Sequence, residues 1–130
     1  MSEIALFKIS VKGIVLDDSG KVMLLREESD KWDLPGGTIE MGESYEQTLK
    51  REIKEEMGVD CELLDSNPCF GWPTYNDLKG TPRMFICFRI KLTSQNFVKS
   101  KEFQEYKYFS KDELSNVDMF ETTKGLIEHL

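Results

Sequence analysis

Over residues 7–16 apolar and polar or small side chains alternate, with Phe7, Ile9 and Val11 set against Lys8, Ser10 and Lys12, before Ile14, Val15 and Leu16 continue the run. A period of two over this length predicts a strand. Asp17, Asp18, Ser19 and Gly20 carry turn chemistry, and residues 21–26 repeat a strand pattern, so the two strands are expected to close an antiparallel hairpin. After the tight segment Trp32-Asp33-Leu34-Pro35-Gly36-Gly37 the period becomes helical. Ser44 with Gln47 is a capping box and Gly58 is a stop, which predicts a helix over Tyr45 to Met57, about 20 Å long. Further strands are expected at 59–64, 84–92 and 105–109, with a Pro/Gly/Asn-rich excursion at 67–82. Ser110 and Glu113 form a second capping box opening a short helix, and closing helical turns cover 122–130. Strands interspersed with two or three helices give an α+β fold or a mixed-sheet α/β sandwich. No repeat or low-complexity tract divides the chain, so residues 1–130 are read as one domain.

Composition narrows the function. The 130 residues include 24 acidic and 17 basic side chains, a net charge of -7 that argues against a nucleic acid as the main partner. No apolar run is long enough to span a bilayer, so no membrane partner is expected. The three cysteines, Cys61, Cys69 and Cys87, show no metal or redox spacing. With no apolar leader after Met1, they read as reduced thiols of a cytoplasmic protein.

The helix is not comfortable as an isolated element. Tyr45, Leu49, Ile53 and Met57 make an apolar stripe about 120° wide. Glu52, Glu55 and Glu56 crowd an arc of roughly 100° at its edge, and Glu56 projects inside the stripe. Each like-charge pair costs about 0.2–0.5 kcal/mol on an exposed helix, and more when half-buried. One resolution is a solvated acidic face with Arg51 and Lys54 as counterions. The other is a hard divalent cation bound through oxygen, for which Mg2+ suits best because it accepts few carboxylates and bridges to substrate phosphates.

From Gly37 the spacing runs five residues, Glu43, seven residues, Arg51-Glu52-Ile53, one residue, Glu55-Glu56, one residue, Gly58-Val59. It resembles the Nudix box, the signature of the Nudix hydrolases, with every defined position filled, and Trp32 to Gly37 is similar to the usual lead-in. The resemblance implies an α/β/α sandwich around a mixed sheet. It implies hydrolysis of a nucleoside diphosphate linked to another group, by activated-water attack on phosphorus with Mg2+ or Mn2+. By the same resemblance Glu52 and Glu56 match the principal metal ligands, Glu55 an additional one, and the Gly36 carbonyl a backbone ligand. Arg51 matches the arginine that orients the glutamates and Glu43 the residue that pairs with it. These roles agree with the chemistry, since anionic phosphates repel a nucleophile until cations neutralise them. The general base is open between a box glutamate and the later Glu102 or Glu105, with Glu102 preferred as an extra ligand.

Substrate choice rests on weaker signals. The segment from Phe70 through Gly71, Trp72, Pro73, Thr74, Tyr75 and Asn76 to Asp77 gathers aromatics that either stack on a base or close over the core. Trp72, Tyr75 and Arg83 are the candidate substrate contacts. Pro73 and Tyr75 sit near family positions hinting at ADP-ribose and at dinucleoside polyphosphates respectively, and so cancel. Arg83 and Arg89 read either as phosphate contacts or as salt-bridged surface. His129 reads as solvated or as part of the closing helix. The expected partner is a small nucleotide, such as a nucleoside triphosphate, nucleotide sugar, ADP-ribose or dinucleoside polyphosphate, bound by a monomer or homodimer. Alternatives are a nucleotide-sensing module without turnover, or a non-nucleotide diphosphate such as an inositol or prenyl diphosphate.

Overall fold

The computed structural model describes residues 3–75 and 80–130. The chain runs β1 (Lys8–Ile14), β2 (Val22–Arg26), β3 (Trp32–Asp33), β4 (Gly36–Thr38), α1 (Tyr45–Met57), β5 (Cys61–Leu63), β6 (Phe70–Thr74), β7 (Arg83–Leu92), β8 (Glu105–Phe109) and α2 (Lys111–Leu114), and closes with a 3-10 helix, Glu121–His129. β1 and β7 pair in parallel at the heart of a mixed sheet ordered β4-β1-β7-β5, with β6 also paired to β7. The second sheet is antiparallel, ordered β3-β2-β8.

Two apolar clusters flank this framework. Leu49, Ile53 and Met57 of α1, all fully buried, pack with Val11, Met23, Leu25 and Phe88 on one side. Leu114 of α2 and Leu126 of the closing helix pack with Ile14, Leu24, Trp72 and Phe85 on the other. The expected sandwich of mixed sheet and flanking helices is therefore the observed one. Tyr45 departs from the helix stripe: it is 41% exposed, with its ring against Phe88 at 5.4 Å. No helix among the described residues is long and apolar enough to cross a membrane.

Two sequence expectations need correction. The expected hairpin of the first two strands is confined to its turn end, where the Asp17 N–H donates to the Lys21 carbonyl (2.9 Å). The strands share the Met23 N–H to Val15 carbonyl bond (2.9 Å) and a bridge from Leu16 to Val22, then diverge into different sheets. Val22, Met23, Leu24 and Leu25 are all at most 1% exposed, so β2 is covered on both faces, and its partners in the sheet are β3 and β8. The 67–82 excursion contains β6. There Phe70 and Trp72 point inward while Gly71 and Pro73 point out, an alternation disguised by its turn-forming residues. Proline is tolerated because, among the described residues, β6 pairs only with β7 and so lies at a sheet edge.

Candidate active site

β4 is joined to β1 in a register that sets Lys12 opposite Gly36 and Val11 opposite Gly37. Gly36 adopts φ +122°, and a Cβ there would collide with the Val11 carbonyl, so only glycine lets the two backbones approach this closely. Its N–H donates to Glu56 Oε1 at 2.8 Å. A Cβ on Gly37 would collide with the Glu52 carboxylate. α1 is fixed at both ends, by the reciprocal Ser44–Gln47 box and by Gly58 at φ +72°, and this register turns Glu52 and Glu56 toward β4. Gly36, Gly37, Glu52, Glu56, Arg83 and Glu102 line one cavity of about 790 Å³.

Charge in the cavity is unevenly shared. Glu56 is 6% exposed, and burial pushes its carboxyl up to about 8 despite the opposing effects of Lys12 and the Gly36 amide. Glu52 Oε1 accepts from Arg51 Nη1 at 2.8 Å. Arg51 grips Glu43 with two bonds, Nε to Oε2 at 2.7 Å and Nη2 to Oε1 at 2.9 Å, and also donates to the Thr38 carbonyl at 3.1 Å. The guanidinium bond, with the Glu40 N–H second, brings the Glu43 carboxyl down to about 2. Arg51 thus fastens α1 to the loop before it and to β4.

The structure brings most of the sequence candidates together. Glu102 reaches the cavity because its loop is tied down: Val98 N–H donates to the Met57 carbonyl (2.9 Å), Ser100 Oγ to the Glu56 carbonyl (2.7 Å) and Glu28 N–H to the Lys101 carbonyl (2.8 Å). Glu105 lies outside the cavity lining on β8, with Arg26 at 3.8 Å and Lys107 at 3.6 Å. Glu55 also lies outside it, with a side chain 58% exposed and 3.5 Å from Arg51. Arg83 donates to Ser10 Oγ and Thr38 Oγ1, both at 2.8 Å, at the cavity wall. Arg89 is exposed farther along β7.

The aromatic expectations divide. Trp72 is corrected from substrate contact to core: it is 7% exposed, its indole N–H donates to the Thr122 carbonyl at 2.8 Å, and its ring packs on Phe85. Tyr75 stays 61% exposed, with its ring edge-on to Phe7 of the cavity lining at 5.5 Å. His129 belongs to the closing 3-10 helix and stacks on Phe70 at 5.1 Å and Trp72 at 5.5 Å. Asn76 and Asp77 lie outside the described residues.

Sequence reasoning missed several groups. The polar face of β1 does not meet open solvent: Ser10 and Lys12 are 3% and 6% exposed, and both line a second cavity of about 490 Å³ that also includes Phe85, Phe120 and Thr122. Glu27 lines both cavities. Period two alone places Ser10 and Lys12 on a polar face of β1 and gives no signal that this face is enclosed.

Among the described residues no three His, Cys, Asp or Glu side chains stand close enough together to hold an ion as they are. The chemistry of the donors nevertheless fits a hard divalent cation: Glu52, Glu56 and the Gly36 carbonyl offer oxygen only, and the glycine pair leaves the space a Cβ would fill.

The chain is similar in sequence and in fold to several known proteins. A protein of Enterobacter sp. (strain 638) named nucleoside triphosphatase NudI is 26% identical over 126 residues, covering 85% of this chain and 87% of its own. A Bacillus subtilis (strain 168) protein named putative 8-oxo-dGTP diphosphatase is 38% identical over 65 residues, 49% of this chain and 44% of its own. The fold resembles the crystal structure of the MutT protein from Methanosarcina mazei Go1, with a TM-score of 0.76 at 24% identity over 98% of this chain and 94% of that one. The sequence profile of the NUDIX domain matches residues 6–130, taking in the glycine cradle, the glutamates of α1 and the closing helix alike, and the chain belongs to the Nudix hydrolase family.

Proposed function

We propose that this Nudix hydrolase is a Mg2+-dependent pyrophosphohydrolase, with Mn2+ able to substitute, that cleaves the phosphoanhydride of a small nucleotide. The observation that carries the reading is Glu56, a carboxyl buried at the Gly36–Gly37 cradle in the cavity that Glu52 also lines. Glu52, Glu56 and the Gly36 carbonyl would hold the cation, with Glu55 as an additional ligand on the outer side. A bound divalent cation supplies phosphate neutralisation and a more acidic water. The protein's own groups do the rest. Arg51, itself held by Glu43, keeps Glu52 in one rotamer. Glu102, facing the cavity from its tied-down loop, takes the proton of the attacking water. Arg83 offers a guanidinium to the phosphates, and Tyr75 offers a ring at the rim.

A nucleoside triphosphate is the preferred substrate, because a relative matched along most of its length is named a nucleoside triphosphatase. Three free thiols suit a reducing, cytoplasmic setting. The test is a panel of nucleoside triphosphates, oxidised nucleotides, nucleotide sugars, ADP-ribose and diadenosine polyphosphates with Mg2+, scored by chromatography of products. Turnover of a triphosphate to its monophosphate and pyrophosphate is expected. Tight binding without any turnover would favour a sensing role.

A further inference from the structure

Lys12 is 6% exposed, yet its ammonium sits among oxygens: Asp33 Oδ2 at 3.1 Å, the Leu34 carbonyl at 3.2 Å and the Gly36 carbonyl at 3.3 Å. An ammonium has three protons to donate, and here all three are used inside the protein. None remains for a phosphate oxygen. Asp33 is itself braced, its Oδ1 accepting from the Leu34 N–H and from Thr123 Oγ1, both at 2.7 Å, and Thr123 is fully buried. A chain of bonds therefore runs from the closing 3-10 helix through Asp33 and Lys12 to Gly36, whose N–H holds Glu56.

We propose that Lys12 is a positioning residue that pins residues 33–36, so that Gly36 presents its N–H to Glu56 and its carbonyl to the cation. The alternative use of a buried lysine, as a direct phosphate anchor, is disfavoured by its saturation and by Asp33, which cancels its charge at 3.1 Å. A cavity that must gather carboxylates around a cation is served by fixing its backbone ligand with a neutral pair, and Lys12 and Asp33 both line that cavity beside Gly36. Groups that orient metal ligands typically change metal affinity or activity by about 10–100-fold when removed.

The inference rests on the cation reading of the site, and the experiment separates the two. Mn2+ binding is titrated by electron paramagnetic resonance, with kcat, KM and thermal unfolding, for the wild-type chain and for Lys12→Met/Asp33→Asn, which removes both charges of the pair together. The expected result is a cooperatively folded variant whose Mn2+ dissociation constant rises about 10–100-fold while KM for the nucleotide stays within about threefold. A dissociation constant within about twofold of wild type overturns the role of Lys12. So does unchanged Mn2+ affinity with a raised KM, which would make Lys12 a substrate contact. Wild-type protein that binds no Mn2+ would instead sink the cation reading itself. Should the double variant not fold, Thr123→Val removes only the far brace of Asp33, and its Mn2+ affinity is expected to fall by about threefold or more; unchanged affinity in that folded variant overturns the proposal.

Discussion

Glu56 of α1 accepts the backbone N–H of Gly36 at 2.8 Å, joining the helix to the glycine cradle across twenty residues of chain. This bond lies in a site that burial makes hostile to the charge it needs. The Glu56 carboxyl, ordinarily near 4.5, stands at about 8 in the folded, metal-free protein. The folded state therefore keeps a proton that the unfolded state loses, and between those values raising the pH destabilises the fold. In chelator, denaturant unfolding should show stability falling by the order of 3 kcal/mol from pH 5 to pH 8.5, relative to Glu56→Gln. A wild-type profile parallel to that of the variant would contradict this. A cation must displace the same proton, so metal affinity should rise with pH, approaching about tenfold per unit, and level off above about 8.

Arg51 connects three parts of the site through Glu43, Glu52 and the Thr38 carbonyl. Lysine keeps the charge but not the planar fork. Arg51→Lys should lower kcat by about 10–100-fold, with a smaller change in KM. Glu43→Gln should move kcat in the same direction, since it loosens the guanidinium without touching the cavity glutamates. Equal kcat values for Arg51→Lys and wild type would show that the fork is not needed.

Gly37→Ala tests the cradle. Its Cβ would displace the Glu52 carboxylate, a flexible side-chain end, rather than backbone. Stability should change by less than about 1 kcal/mol, whereas kcat should fall by about 10–100-fold because a ligand has moved by about an ångström. Circular dichroism melting and steady-state kinetics on the same preparation distinguish the two effects.

Trp72 and Tyr75, three residues apart, should behave oppositely. Trp72→Phe leaves the Thr122 carbonyl without its donor and should cost about 1–3 kcal/mol of stability, with KM little changed. Tyr75→Ala, at an exposed rim position, should raise KM and leave the melting temperature within a degree or two, since surface substitutions usually shift stability by less than about 0.5 kcal/mol. The reverse pattern would return Trp72 to the substrate side.

What could be read from the sequence follows from how local its determinants are. α1 was legible to its ends because Ser44, Gln47 and Gly58 act within one helical turn of the residues they cap. The box glutamates were legible for the same reason, their shared face being fixed by helical period. β6 was not, because its pairing to β7 is long-range and its Gly71 and Pro73 mimic a loop. Trp72 was ambiguous because an aromatic in such a segment serves a core or a ligand equally, and only the Thr122 carbonyl, fifty residues on, decides. The role of Lys12 was not legible, because period two assigns it to a polar face without saying that β4 and the closing helix enclose that face.

Glu56, buried against the Gly36 amide, is expected to be required for cation-dependent phosphoanhydride hydrolysis. The decisive measurement is Glu56→Gln beside wild type on the best substrate of the panel at saturating Mg2+, with folding verified by circular dichroism. A loss of several kcal/mol of transition-state stabilisation corresponds to a fall of about 100–1000-fold or more in kcat/KM, which is the expected result. A folded Glu56→Gln protein that hydrolyses the substrate within a few-fold of wild type would show that this carboxylate is not needed for the reaction.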